Sequence, residues 1–228
     1  MQEETKQSID GKLVKSLETQ ELSSLATEYA EIALDSVFDN GIIKDIPILR
    51  TIISLAKTGL NFRDRLYVKK LANFLIQIGT TTQEQRKEFI KKYCEDNKKF
   101  EEAVLLILEN SDRIEKASLI GKIFKACILG MISYADTLQI SEMVNRAYWA
   151  DLKHMFEDKG SEEEQQRLFM AGLMEFDPQT FQFATTDGSG LDVIRKLGYK
   201  RNAYAIALTM MYQEKFEDLS KCSIYNKT

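Results

Sequence analysis

The sequence predicts a mainly α-helical protein, a multi-helix bundle with a small β-hairpin near the C-terminus. Apolar residues recur at steps of three to four along most of the chain, which is the period of an amphipathic helix. The 228 residues include only two prolines and 11 glycines, so few positions interrupt a helix. Hydrophobic residues make up 44% of the chain and charged residues 29%, a balance that is typical of a globular protein.

The N-terminal part is predicted to form two long helices. Apolar residues at helical spacing run over 3–38, and Asp39-Asn40-Gly41 then supplies residues that accept the left-handed conformation of a helix end. Pro47 suits the first turn of the next helix, where its missing N–H is not needed. The apolar period continues beyond it, so the sequence predicts a buried helix over 47–78, with Gly59 as the place for a bend.

Five further helices are predicted between Gly79 and Gly172. The first begins at the capping-box pattern of Thr81 and Glu84, and the last begins at Ser161. In order, these helices are predicted to cover about 82–96, 100–109, 112–129, 133–157 and 161–171.

The last third of the chain changes pattern. Met174 to Ala184 alternates apolar and polar residues around the turn signal Asp177-Pro178, so this stretch is predicted as a small β-hairpin. A helix is predicted from Thr185 to Gly198, and a final helix from Tyr199 to about Leu219. Because the final helix is apolar on more than one side, it predicts self-association.

The change of pattern near residue 133 predicts two domains. Residues 1–132 would form a helical domain that contains the cationic amphipathic helix 47–78. Residues 133–228 would form a second module with the hairpin and the C-terminal helix. No linker of low complexity separates the two, so the boundary rests on the change of pattern alone.

The most unusual local feature is a cationic apolar segment that follows an acidic one. Residues 41–78 hold seven basic residues against two acidic ones, a balance of +5, and residues 1–40 hold three against nine, a balance of −6. The cations predicted to form an interaction surface are Arg63, Arg65, Lys69 and Lys70. They could pair with acids of the first helix around a core helix, which is the favoured interpretation, or contact anionic lipid headgroups. Both interpretations hold if the first helix covers the cationic helix and can be released from it.

Candidate residues for metal binding or catalysis are few. The single histidine, His154, lies three positions after Asp151 and four before Asp158. The three side chains could share a helix face and hold a divalent metal, although a solvated polar face is the favoured interpretation. The sequence has no G-x-S-x-G pattern and no phosphate-loop pattern. No catalytic residue and no cofactor are therefore predicted, and the chain is interpreted as not an enzyme.

Charge, cysteine content and hydropathy bear on location. The net charge of −4 argues against broad electrostatic binding to nucleic acid. Three cysteines without a C-x-x-C pair are typical of a reducing cytoplasm. The first residues show no secretory signal, and no window reaches the roughly 20 apolar residues of a transmembrane helix. The protein is therefore predicted to be cytoplasmic, and any membrane contact to be peripheral, at the inner membrane.

Residues 161–197 resemble the closing half of a winged-helix module in their order of helix, glycine, hairpin and helix. The residues that carry the resemblance are Leu168, Ala171-Gly172-Leu173, Phe181-Gln182-Phe183, Thr185, Gly188 and Leu191. Winged-helix proteins often bind DNA, so the resemblance implies a DNA-binding transcription regulator as an alternative function. The candidate recognition helix has three glutamates and only Arg167, and residues 177–187 contain no lysine or arginine. DNA binding is therefore disfavoured against a packing or dimerisation role.

Four segments resemble an uncharacterised group of bacterial helical proteins. They are Ile46-Pro47, the pattern RDRLYVKKLxxFL over 63–75, the pattern KAxLIGKIFKA over 116–126, and the pattern GxISY over 130–134. No activity is established for that group, so the resemblance implies a bacterial source and no particular chemistry.

Together these observations predict a non-enzymatic bacterial protein that acts through protein contacts, with a second copy of itself or with another protein. An anionic membrane surface, contacted through helix 47–78, is a further partner that the sequence allows. The alternative function is that of a winged-helix regulator, whose DNA partner the charges disfavour.

Overall fold

The computed structural model describes residues 11–29, 45–55, 61–94, 96–180, 182–184, 194–196 and 198–224. The chain divides into two compact units, residues 1–141 with 225–228, and residues 142–224. The division lies inside a helix, between residues 141 and 142, which is later in the chain than the boundary predicted after residue 132. Helices dominate the described residues and the strands are confined to a small region near the C-terminus, which confirms the predicted fold class.

The first unit is built from helices. Their bounds are Lys12–Glu18 (α1), Glu21–Tyr29 (α2), Pro47–Leu55 (α3), Phe62–Gly79 (α4), Gln83–Tyr93 (α5), Asn97–Asn110 (α6) and Ile114–Ile128 (α7). The next helix, α8 (Tyr134–Arg146), runs from the first unit into the second.

The core of the first unit is centred on the contact between α4 and α7, the two elements that pack most extensively. Buried apolar residues at helical spacing line both helices: Val68, Leu71, Phe74 and Leu75 on α4, and Ile120, Ile123, Phe124 and Cys127 on α7. The rings of Phe74 and Phe124 meet edge to face with centroids 5.2 Å apart. Gly121 permits the close approach, because a Cβ there would lie 2.7 Å from the Phe74 carbonyl oxygen.

Two buried charged side chains hold α1 at its two ends. The Glu101 carboxylate accepts hydrogen bonds from the backbone N–H of Gly11 at 2.7 Å and of Val14 at 2.9 Å, so a negative charge sits at the N-terminus of α1. The guanidinium of Arg86 donates to the Leu17 carbonyl oxygen at 2.7 Å, at the other end. Each charge has the sign that opposes the partial charge of the helix terminus it contacts. Long-range polar contacts therefore fix the position of α1.

Replacing Glu101 with glutamine is expected to lower the free energy of unfolding by about 1.5–3 kcal/mol, the usual worth of a hydrogen bond to a charged group. Glutamine keeps one acceptor oxygen and turns an N–H₂ group towards a backbone N–H. Urea denaturation would measure the loss. Glu102→Gln, at the exposed neighbouring position, should stay within about 0.5 kcal/mol of the wild type. Equal losses in both variants would contradict the role given to Glu101.

Two predictions for the N-terminal part are wrong in their boundaries. The helix predicted over 3–38 is broken, because Thr19 is extended (φ −74°, ψ 150°) and α2 starts after it. The helix predicted over 47–78 is two helices, and Asn61, also extended (φ −70°, ψ 170°), caps the second by accepting from the Asp64 N–H. The stop signal at 39–41 and the bend at Gly59 lie outside the described residues.

Two helix boundaries in the middle of the chain also differ from the prediction. The capping box of α5 is formed by Thr82 and Gln85, one position after the predicted pair, because the Thr81 hydroxyl instead donates to the Ile78 carbonyl oxygen at the end of α4. The helix predicted over 133–157 ends at Arg146, and a new helix begins after Tyr148, which is extended (φ −71°, ψ 139°).

The described part of the second unit contains, besides the end of α8, three helices and a β-ribbon. The helices are Trp149–Phe156 (α9), Glu162–Ala171 (α10) and Ala203–Tyr212 (α11), and the strands are Met174–Phe176 (β1), Gln182–Ala184 (β2), Ile194–Lys196 (β3) and Tyr199–Arg201 (β4). Short 3₁₀ turns cover Pro178–Thr180 and Phe216–Lys221. The predicted start and end of α10 are confirmed, with a capping box between Ser161 and Glu164 and a left-handed Gly172 (φ +90°) at its end.

The ribbon pairs over a longer range than predicted. β1 is antiparallel to β4, with Phe176 opposite Tyr199, and β2 is antiparallel to β3, with Gln182 opposite Lys196. The hairpin predicted within 174–184 is therefore wrong, because both of its halves pair with residues further along the chain. The helix predicted to run up to Gly198 is also wrong over 194–196, while residues 185–193 lie outside the described part.

The final predicted helix is shorter than expected, and several of its apolar residues pack within its own unit. Residues 199–201 are a strand, and the Asn202 side chain caps α11, which ends at Tyr212. Ala205, Leu208 and Met211 are buried, and the ring of Tyr212 stacks on Phe156 with centroids 4.1 Å apart. Ile206, on the same helix, is 40% exposed, and the self-association predicted from this helix stays a prediction.

Candidate interaction surfaces

The outer face of α10 carries acidic residues at one end and apolar residues at the other. Glu162, Glu163, Gln166, Phe169 and Met170 are exposed at helical spacing, and 76% of Met170 is accessible to solvent. The opposite face is buried through Leu168 and Ala171. An exposed methionine and phenylalanine on one helix face are unusual enough to suggest a contact site.

The apolar part of this face continues onto the ribbon. The ring centroids of Phe169 and Tyr199 are 5.2 Å apart, and Tyr199 pairs across the strands with Phe176, which is also exposed. We name as the α10 surface the set Glu162, Glu163, Gln166, Phe169, Met170, Phe176 and Tyr199. The ribbon is positioned beside α10 by Gly172, which turns the chain back at the end of the helix.

The single cation of α10 is already engaged. Arg167 forms a two-pronged ion pair with the buried carboxylate of Asp151, with both N···O distances 2.8 Å. The hydrogen bond to Asp151 raises the pKa of Arg167. The Tyr148 ring lies on the guanidinium, 5.8 Å from its centroid. Arg167 therefore braces α10 against α9 and contributes little free positive charge to the surface.

The returning strands of the ribbon are basic; the sequence interpretation placed these residues in helices and expected Lys196, Lys200 and Arg201 to form at most a small patch beyond the wing. They include Arg195, Lys196, Lys200 and Arg201. Lys200 pairs with Glu175 at 3.3 Å. Arg201 pairs with Asp158 and also donates to the Met155 carbonyl oxygen. The ribbon therefore carries more cations than the predicted hairpin did. The two whose side chains are described, Lys200 and Arg201, are both paired with acids.

The four cations predicted as one surface do not lie on one surface. Arg63 and Arg65 are exposed, and Lys69 is half-buried. Lys70 is only 7% exposed, and its ammonium donates to the Glu109 carbonyl oxygen at 3.4 Å. Burial lowers the pKa of Lys70. The prediction is wrong for Lys70, because its helix face is the one that packs in the core.

An exposed aromatic ring accompanies the two exposed arginines. Phe62, the first residue of α4, is 84% exposed. The apolar residues further along α4, such as Leu71 and Phe74, are fully buried. We name Phe62, Arg63 and Arg65 the α4 tip. Because the apolar residues further along α4 are covered, the tip is the part of α4 where an apolar side chain and cations are exposed together.

One described acid of the first helix region lies on α2. Glu21 is exposed at the start of α2, although α2 itself packs along α4. The side chain of Glu28 and residues 31 and 35 lie outside the described part. Contact between the first helix region and the cationic segment is thus seen as the packing of α2 along α4.

The candidate metal residues are drawn to three different partners. Asp151 binds Arg167, the His154 Nδ1 lies 2.9 Å from a Glu164 carboxylate oxygen, and Asp158 binds Arg201. Among the described residues, no group of three or more His, Cys, Asp or Glu side chains could hold a metal ion. The three side chains therefore contact different partners and do not converge on one common position.

A shallow cavity of about 310 Å³ lies beside these pairs. Apolar side chains of Met155, Leu168 and Met174 line part of it. Four ion pairs involve the charged residues that line it: Asp151 with Arg167, Asp158 with Arg201, Lys159 with Glu157, and Lys200 with Glu175. A carboxylate oxygen of Glu164 lies 2.9 Å from the His154 Nδ1. The cavity therefore offers a ligand little uncompensated charge.

Comparison of the chain with protein-family models, with curated proteins and with solved structures finds no match in any of the three. The winged-helix resemblance included a helix directly after the hairpin, and residues 194–196 of that stretch form a strand. No helix in the described part of the chain is long and apolar enough to cross a membrane.

Proposed function

We propose that this is a non-enzymatic bacterial protein that acts through protein contacts, which it makes through the α10 surface. One observation carries the proposal: the outer face of α10 is exposed, with acidic residues at one end and apolar residues at the other. Such a face fits a protein surface with the opposite charge and an apolar anchor of its own.

The apolar residues supply the energy for such a contact. Full burial of a phenylalanine or methionine side chain is worth about 1.5–3 kcal/mol relative to exposure. Phe169 and Met170 are adjacent on α10, and Tyr199 and Phe176 extend the patch across the ribbon. Aromatic residues and methionine are the residue types enriched in protein interfaces.

The electrostatics of the second unit speak against the DNA-regulator alternative. Affinity for DNA depends on lysine and arginine side chains that neutralise phosphates. Glu162 and Glu163 would face the phosphates, and Arg167, Lys200 and Arg201 are already paired with acids. A DNA mobility shift at physiological salt is therefore expected to show no tight complex.

The chemistry of the described side chains gives catalysis little support. Burial raises the pKa of the Cys94 thiol to about 12 and that of Cys127 to about 11, so both are neutral thiols at pH 7. His154 is engaged with Glu164, and the cavity beside it contains charges that neutralise one another. These groups act as packing and bracing residues.

The α4 tip by itself makes only a small contribution to the anionic-membrane interpretation. A lysine or arginine near an anionic bilayer contributes about 1 kcal/mol, so the two arginines of the α4 tip contribute about 2 kcal/mol. Stable peripheral binding needs a larger basic cluster or a second anchor. We therefore assign the tip to a protein contact as well.

A photo-crosslinking amino acid at Gln166, in the middle of the α10 surface, tests the proposed function in intact bacteria. We expect an adduct to a protein, identified by mass spectrometry, that is lost when Met170 is replaced with aspartate. The same cross-linker at the exposed Glu102 provides the control position. An adduct to nucleic acid, or no adduct that depends on Met170, would overturn the proposal.

A further inference from the structure

The α4 tip and the α10 surface are complementary in charge and in chemistry. The tip presents Arg63 and Arg65 beside the exposed ring of Phe62. The α10 surface presents Glu162 and Glu163 along one helix face with the exposed Phe169 and Met170. Each surface has an apolar anchor flanked by two like charges, and the two sets of charges have opposite sign.

We propose that the partner of the α10 surface is a second copy of this chain, which docks through its α4 tip. This inference rests on the proposed function, because it names the protein that the α10 surface binds. The two arginines of one copy would face the two glutamates of the other, and Phe62 would enter the patch of Phe169 and Met170. Opposite charges steer the encounter and fix its orientation, while the apolar anchor supplies burial.

The contact is heterologous, since it joins two different patches of the same chain. Each copy in a pair retains one open tip or one open α10 surface, so further copies can be added until a ring closes or a filament grows. The expected signature is therefore an average mass that rises with protein concentration.

A second copy suits the α4 tip better than a lipid surface does. The apolar face that a membrane-binding helix would insert is already occupied, because Leu71, Phe74 and Leu75 are fully buried. What remains open is one aromatic ring with two arginines, which has the size and composition of an interface hot spot. Lipid binding by the tip is kept as an outcome of the test.

Charge reversal on the two surfaces tests the proposal with the full-length protein. The first variant is R63E/R65E and the second is E162R/E163R; the control is K87E/K91E, which changes the same charge at exposed positions of α5. The mass is measured by sedimentation equilibrium from about 1 µM to about 1 mM, where contacts of modest affinity dissociate. Circular dichroism confirms that each variant is folded, and E162Q/E163Q replaces the second variant if it is not.

We expect the wild type and the control to associate, and each reversed variant alone to associate at least about tenfold more weakly because like charges then face each other. An equimolar mixture of the two reversed variants should associate again, since the glutamates introduced into one copy meet the arginines introduced into the other. This recovery cannot result from misfolding, because both chains must be folded to bind.

Four results would overturn the proposal and leave the proposed function to its own cross-linking test. If the wild type stays monomeric, a second copy is not the partner of the α10 surface. If association survives R63E/R65E but is lost in M170D, the second copy binds the α10 surface through a part other than the α4 tip. If association survives both E162R/E163R and M170D, the copies associate without the α10 surface. If the protein does not self-associate but floats with anionic vesicles, and R63E/R65E abolishes the flotation, the α4 tip binds a membrane.

Discussion

Replacing Arg86 with methionine is expected to destabilise the first unit by about 3–5 kcal/mol, since each buried carbonyl left without a donor costs about 1–3 kcal/mol. Arg86 is fully buried and donates to the carbonyl oxygens of Leu17, Thr19 and Thr81. Methionine fills much of the same volume but donates to none of them. Urea denaturation would give the free energy, and amide hydrogen exchange should show the loss of protection concentrated in α1.

Arg86→Lys tests whether the positive charge at position 86 is sufficient or whether the hydrogen-bond geometry of the guanidinium is needed. A single ammonium cannot reach three carbonyls that lie at different angles, so this variant should be nearly as unstable as Arg86→Met. Lys87→Met, at the exposed neighbouring position, should change the free energy of unfolding by no more than about 0.5 kcal/mol. If Arg86→Met were as stable as the wild type, the anchoring of α1 by Arg86 would be disproved.

Local signals in the sequence were sufficient for most of the helices. The capping box at Ser161 and Glu164 and the glycine stop at Gly172 act within a few residues, so they could be recognised without the fold. The periodicity of Leu71, Phe74 and Leu75 likewise predicted a buried face of α4. Such features depend on neighbours in the chain and are visible in it.

The ribbon could not be predicted in the same way, because its pairing joins residues far apart in sequence. Phe176 pairs with Tyr199, and between them lies a stretch with a turn signal at Asp177-Pro178 that suggested a closer return. The signal is real but produces only the 3₁₀ turn Pro178–Thr180 between β1 and β2. Strand register is set by the partner strand as much as by the turn.

The sequence grouped residues into candidate sites that the structure separates, because a side chain on a helix can face either of two environments. Lys70 shares a helix with Arg63 and Arg65, but it faces the core and bonds to the Glu109 carbonyl. Asp151 shares a helix with His154, but Arg167 on the next helix takes both of its oxygens. A shared helix places residues near one another without deciding which partner each side chain meets.

The anchoring roles of Arg86 and Glu101 had only a weak signal. Arg86 lies three residues before Phe89 on α5, so it shares the face that is buried, yet a lone arginine beside an apolar residue is common on helix surfaces. Glu101 similarly sits one turn before the buried Val104 and two turns before the buried Leu108. Their partners are backbone groups of α1 and its flanks, which the sequence could not place.

Replacing Gly79 with alanine is expected to lower the free energy of unfolding by about 2–3 kcal/mol, in the upper part of the range for overpacked sites. A Cβ at Gly79 would overlap the Leu22 carbonyl oxygen and lie 2.9 Å from the Ala26 Cβ, so α2 would have to move away from α4. The backbone of α2 cannot rotate aside as a side chain can. The intrinsic preference of alanine for helix, worth about 1 kcal/mol over glycine, is therefore expected to be outweighed.

Ala26→Gly in the Gly79→Ala background is the matched test of this steric account. It removes one of the two colliding groups and leaves the Leu22 carbonyl oxygen, so it should recover part of the stability and no more. The four free energies from urea denaturation form a double-mutant cycle, and a favourable coupling between positions 26 and 79 is expected. Additive effects, or a Gly79→Ala variant as stable as the wild type, would show that α2 does not press on α4 at this point. The close packing of α2 would then no longer explain how this part of the apolar face of α4 is kept from water.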